Sequence, residues 1–161
     1  WNLERNRPDN ELQFTLKEKK ETNDMGKRAE EAVRKHSCGY NCAQAVACTF
    51  ADIMGMDEQD VFRLSEGFGF GMGASETCGA VSGMLMVASS VSSDGNLDAP
   101  ATKQKTYRLM RELQEAFREK NSSTICRDLL GGKGKPKLRS CPGCVEDAAT
   151  FLEEKILTDS E

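Results

Sequence analysis

Apolar residues along this chain recur at helical spacing and nowhere alternate over several β-branched positions, which predicts an all-α fold. Ala29, Ala32, Val33 and His36 share one face of a first helix, which the glycine within 37–41 interrupts. Asn41, with Gln44 three residues on, is a capping signal for a second helix over 42–54 that Gly55 ends. A third helix over 57–66 turns Val61, Phe62 and Leu64 inward. Thr77 is placed to cap a helix over 78–91, whose Gly79, Ala80, Ser82 and Gly83 permit close backbone approach. The longest amphipathic pattern covers 101–120, with Tyr107, Met110, Leu113, Ala116 and Phe117 on one face. A short helix over 126–130 is stopped by Gly131 and Gly132, and a final helix over 141–157 takes Pro142 at its first position.

These elements suit a single-domain helical bundle over residues 25–157. Residues 1–24 carry mixed charge and no apolar face, and read as a polar N-terminal extension. Apolar residues make up 38% of the chain, enough to build one core without staples. The alternation Gly67-Phe68-Gly69-Phe70-Gly71-Met72-Gly73 fits neither a phosphate loop nor a dinucleotide fingerprint, and no strand precedes it. It is expected to be a tight loop that lets backbone approach a bound group or a neighbouring helix. A net charge of −4 argues against nucleic-acid binding. No apolar run is long enough for membrane insertion. The chain opens at Trp1, which is compatible with a removed leader or a trimmed start.

Within that frame the seven cysteines stand out: Cys38, Cys42, Cys48, Cys78, Cys126, Cys141 and Cys144. An odd number in a chain rich in helical patterns is unlike a secreted disulfide scaffold, so a reducing cytoplasm is the expected setting, and there clustered thiols signal metal binding or redox chemistry. Cys42 follows Asn41, Cys78 follows Thr77, Cys126 follows Ser123 and Thr124, and Cys141 precedes Pro142. All four therefore fall where helices begin, among unpaired N–H groups that favour thiolate over thiol. Their separations match no compact zinc-finger or ferredoxin spacing, so only the fold can bring them together.

Cys141-Pro142-Gly143-Cys144 is a C-x-x-C at a helix start, which makes Cys141 and Cys144 a candidate redox pair. Cys38 is read as auxiliary and Cys48 as a small buried hydrophobe. His36 is read as completing a helix end, and Lys133, Lys135, Lys137 and Arg139 as a solvated face. The lone histidine and the lack of a Ser–His–acid or metal-hydrolase motif argue against a hydrolase, and no catalytic residue is assigned.

Taken together, Tyr40-Asn41-Cys42-Ala43-Gln44-Ala45-Val46, Glu76-Thr77-Cys78-Gly79-Ala80-Val81-Ser82-Gly83, Cys126-Arg127-Asp128-Leu129-Leu130-Gly131 and Cys141-Pro142 with Val145 and Ala148-Ala149 resemble the C_GCAxxG_C_C family. By matching positions the family cysteines are Cys42, Cys78, Cys126 and Cys141. Cys38, Cys48 and Cys144 lie outside that set. The resemblance implies a redox role, and a related domain of a split-Soret type cytochrome holds an iron–sulfur cluster on four cysteines. The covalent haem does not carry over, because no C-x-x-C-H is present.

Three readings stand at this point. The first is an iron–sulfur centre, of two irons, or another metal such as zinc, held by Cys42, Cys78, Cys126 and Cys141 for electron transfer with a redox partner protein. The second is a metal-free thiol–disulfide protein using Cys141 with Cys144, or Cys42 with Cys78. The third is a non-catalytic metal-binding or accessory helical protein, in which the helix over 101–120 supplies a homodimer face.

Overall fold

The computed structural model describes residues 26–158. The polar extension expected over 1–24 lies outside the described residues. Among the described residues eight α-helices follow one another: α1 (Lys27–Ser37), α2 (Cys42–Thr49), α3 (Ala51–Met54), α4 (Glu58–Ser65), α5 (Gly79–Ser92), α6 (Lys103–Asn121), α7 (Cys126–Leu130) and α8 (Cys141–Leu152). No strand occurs among the described residues, and none of their helices is long and apolar enough to cross a membrane.

The core is built around α2 and α5, which are apolar on nearly every face. Residues 43–48 of α2 are all buried, as are Ala80, Val81, Met84, Val87 and Ala88 of α5. Their contact is close because α5 begins with glycines one turn apart. A Cβ built on Gly83 would lie 2.6 Å from the Ala43 carbonyl oxygen, and one on Gly79 would lie 3.2 Å from the Ala43 nitrogen. Helix α8 then covers α1, α2 and α5 with Val145, Ala148, Ala149 and Leu152, and α6 closes the far side of α5 with Leu113 and Phe117.

Two buried carboxylates tie the chain's late segments to its earlier ones. Glu153 is 1% exposed and accepts hydrogen bonds from the Gly26 and Arg28 N–H groups at 3.0 and 2.9 Å, capping α1 where its own residues supply no side-chain cap. Asp147, 2% exposed, accepts from Arg139 Nε and Nη2 at 2.9 and 3.0 Å and pairs with Lys120 Nζ at 3.0 Å. A buried carboxylate is tolerable only when so paired.

The structure corrects several sequence expectations. The helix expected over 42–54 is two, broken at Phe50, whose fully buried ring lies 5.1 Å beneath the Arg28 guanidinium. In α4, Leu64 faces solvent and Ser65 takes the buried position, its hydroxyl bonded to the Val61 carbonyl at 2.7 Å. In α6, Tyr107 is half exposed while Thr106 packs inward and meets the Ser92 hydroxyl at 3.1 Å. The final helix widens over Glu153–Leu157, which turns Glu153 inward. The glycine-rich stretch is a tight turn at Glu66–Phe68 followed by a wide one at Gly71–Ser75, with Phe70, Met72 and Ser75 at φ of 49°, 58° and 58°.

Gly83→Ala should cost about 1–3 kcal/mol of stability in urea denaturation, since neither backbone can yield freely. Gly67→Ala, where an added Cβ meets nothing within 4 Å, should leave the midpoint nearly unchanged.

Candidate thiol centre

Five of the seven cysteines border one cavity of about 190 Å³: Cys42, Cys78, Cys126, Cys141 and Cys144. The four family positions, far apart in sequence, therefore converge. Two of them arrive by local caps and two by one backbone bridge. Cys42 opens α2, whose start is fixed by a reciprocal capping box: Gln44 N–H donates to Asn41 Oδ1 at 2.9 Å and Asn41 N–H to Gln44 Oε1 at 3.0 Å. Cys141 opens α8, where the Ser140 hydroxyl accepts from Gly143 N–H at 3.1 Å. Pro142 is thus the second helical residue and not the first.

Cys78 and Cys126 are positioned as a pair. The Cys78 N–H donates to the Thr124 carbonyl at 2.8 Å and the Cys126 N–H to the Glu76 carbonyl at 2.6 Å, an isolated antiparallel bridge centred on Thr77 and Ile125. Cys126 is the first residue of α7, and the residue before it is Ile125, which caps nothing through its side chain. Cys78 occupies the N-cap position of α5 itself. The expected caps from Thr77 and from Ser123 or Thr124 are replaced by this backbone pairing, although the Ser123 hydroxyl does accept from Ile125 N–H at 3.0 Å.

The glycines set the walls. A Cβ at Gly69 would lie 2.3 Å from Asn41 Cγ, one at Gly71 2.8 Å from Cys126 Cβ, and one at Gly79 3.1 Å from Cys42 Cβ. The glycine-rich stretch therefore packs directly on the thiols and their caps, as its composition suggested. Phe70, Leu129 and Leu130 give the cavity an apolar lining, and Arg139, held by Asp147, borders it with positive charge.

Three residues are placed differently from the sequence reading. His36 does end α1, but it also lines the cavity, with Nε2 3.6 Å from Cys42 Sγ, and burial lowers its pKa. Arg139 belongs to the cavity wall instead of a solvated face. Cys144, outside the family set, is 2% exposed and lines the same cavity as Cys78. Its spacing of one helical turn from Cys141 was the available signal. The remaining cysteines follow expectation: Cys38 is exposed at the end of α1, and Cys48 is buried in the core, where burial pushes its thiol up to about 11.

Inside the cavity the protons are unevenly shared. The thiol of Cys144 donates towards Cys78 and, against the opposing effect of burial and with help from the N–H groups of Ala80 and Val81, brings the Cys78 pKa down to about 7. The same hydrogen bond, then burial, holds the proton on Cys144 far above the ordinary thiol range. Burial first, then the neighbouring sulfurs of Cys141 and Cys78, pushes Cys42 up strongly, and burial followed by Cys78 and Cys141 raises Cys126.

Among the described residues, no three His, Cys, Asp or Glu side chains are placed to hold a single metal ion. The five cysteines instead stand around a common space. The donors of the five cysteines are all soft sulfur.

A family model described as "Putative redox-active protein (C_GCAxxG_C_C)" matches residues 40–155, well over half of the chain. No curated protein and no solved structure matches it.

In metal-free protein, the ultraviolet absorbance of thiolate should show one group titrating near pH 7, and Cys144→Ala should move that midpoint upward. Because the Cys78 pKa is lowered from 9.0, its contribution to stability should be complete above that value and lost as pH falls through about 7, measurable as a falling urea midpoint.

Proposed function

The chain belongs to the C_GCAxxG_C_C family, and we propose that within it this protein is an electron carrier holding an iron–sulfur cluster of two irons through Cys42, Cys78, Cys126 and Cys141. The observation that carries this reading is the convergence of these four thiols, from the starts of four different helices, on one cavity. When bound, the cluster supplies a one-electron couple.

The chain's own residues serve that role in three ways. At the start of α5 the Ala80 and Val81 N–H groups face the Cys78 sulfur and favour its thiolate, and Cys42, Cys126 and Cys141 are the first residues of α2, α7 and α8, where the helix ends carry partial positive charge. Phe70, Leu129 and Leu130 restrict water, and Arg139, anchored on Asp147, adds a fixed positive charge at the wall. Gly69, Gly71 and Gly79 leave the space that side chains would fill. A single zinc ion fits less well, because no three ligating groups among the described residues close on one point. A redox partner protein would receive or supply the electron, in keeping with a cytoplasmic setting.

Protein purified and reconstituted without oxygen should be coloured and contain iron with acid-labile sulfide. Serine in place of Cys42, Cys78, Cys126 or Cys141 should each reduce the iron retained, while Cys38→Ser, at an exposed position, should not. Colourless, iron-free protein after reconstitution sinks the proposal. Since Cys42 and Cys126 are held protonated by burial and by neighbouring sulfurs, loading should release protons to a weakly buffered solution, and iron retention should decline as pH falls.

A further inference from the structure

The cavity has an outer edge that the cluster reading leaves unused. Phe70 lines the cavity and yet is 61% exposed, and Met72, 48% exposed, and Phe68 accompany it in the glycine-rich stretch. Phe70 and Met72 hold left-handed backbone, with φ of 49° and 58°, which bulky side chains adopt only at a cost. The fold therefore tolerates strain while keeping two large apolar groups in water at the border of the sulfurs.

Another part of the same wall carries charge. Leu130 and Arg139 both line the cavity, and the chain between them is a closed loop. The Leu138 and Arg139 N–H groups donate to the Leu129 carbonyl at 2.9 and 3.1 Å. Gly131, at φ 69°, passes so close that an added Cβ would lie 2.7 Å from the Lys137 nitrogen. Both stems of the loop are thus cavity wall, and its exposed Lys133, Lys135, Lys137 and Leu138 rise from the rim. None of these three lysines forms an ion pair among the described residues, on a chain whose net charge is −4. The carboxylates around the cavity are already engaged, Glu76 by Arg127 at 2.5 Å and Asp147 by Arg139 and Lys120, which leaves the exposed Glu66 as the single carboxylate of 66–75. Three unpaired cations beside an exposed aromatic ring and thioether complement an apolar patch ringed by carboxylates.

We propose that this rim, Phe70 and Met72 with Lys133, Lys135 and Lys137, is the docking surface for an acidic one-electron carrier protein. The partner's carboxylates meet the lysines, and the exposed edge of its cofactor rests on Phe70. The proposal builds on the reading of the cavity as an electron-transfer centre: in the complex one electron passes between the partner's cofactor and the cavity, one side losing what the other gains, and no bond or proton moves. Weak electron-transfer encounters bury less than about 1,200 Å² in total, so a rim of this kind is enough. Opposite charge speeds the approach, and salt screens it. The same lysines repel a basic carrier at this face.

The test uses full-length protein, metal-free and reconstituted in parallel, with an acidic plant-type ferredoxin as the probe and a basic cytochrome c as its opposite. At low ionic strength, calorimetry should detect a complex with ferredoxin and none with cytochrome c, and salt should weaken that complex. A carbodiimide, which condenses a lysine amine with a carboxylate, should link ferredoxin to Lys133, Lys135 or Lys137. Lys133→Gln, Lys135→Gln and Lys137→Gln together should raise Kd at least about tenfold. The charge-matched set Lys103→Gln, Lys105→Gln and Arg108→Gln, at exposed positions of α6, should leave it within about twofold. Phe70→Asn removes the ring but suits left-handed backbone, and should raise Kd at least about threefold. Circular dichroism establishes that each variant is folded; where Phe70→Asn is not, the lysine substitutions, all at exposed positions, carry the test. Absence of a ferredoxin complex, cross-links confined to other lysines, unchanged affinity in the loop variant or equal binding of cytochrome c would each overturn the proposal. So would self-association of the protein, or capture by phosphatidylserine vesicles in place of ferredoxin, that disappears with the three loop lysines. Binding is read without iron, so failure here leaves the cluster reading standing, and failed reconstitution leaves the docking result standing.

Discussion

The near contact of α2 with α5 governs the rest of the molecule. With Gly79 and Gly83 against Ala43, the two most apolar helices meet backbone to backbone, and their starting ends, carrying Cys42 and Cys78, are brought to the same place. Had alanine stood at either glycine, the helices would have to separate and the opposing sulfurs with them. The core and the thiol centre are thus consequences of one packing decision. The remaining walls are attached to this pair: the antiparallel bridge delivers Cys126, and α8 delivers Cys141 and Cys144 together.

Much of this was legible in the residues, though unevenly. The capping box of Asn41 and Gln44, the stop at Gly131, and the small residues at the head of α5 are local rules, and local rules survive folding because they depend on neighbours in the chain. The inward faces of α4 and α6 were less readable. Their periodicity was correct, but rotation about the helix axis is set by what packs against it, and Ser65 and Thr106, which satisfy their hydroxyls within the helical layer, displaced Leu64 and Tyr107. The bridge between Thr77 and Ile125 left no trace in the sequence, since one long-range backbone pair needs no particular side chain.

The thiols show the same division. Their position at helix starts followed from punctuation, and the family resemblance pointed to four of them. What neither could supply was the company each keeps: His36 against Cys42 depends on how the chain turns between two successive helices, and Arg139 and Cys144 in one wall with Cys78 depend on elements distant in sequence. The uneven sharing of protons is likewise a property of the assembled cavity, because burial and neighbouring sulfurs exist only after folding.

The cap that Glu153 places on α1 has an implication for how the protein is made. During synthesis α1 leaves the ribosome early, yet the carboxylate that satisfies its opening N–H groups comes from far along the chain, just behind the helix that brings two of the five sulfurs. Until that late segment docks, His36 hangs from an uncapped helix and the sulfur shell is open on one side. The cavity is therefore completed only when the two ends of the described fold have been joined.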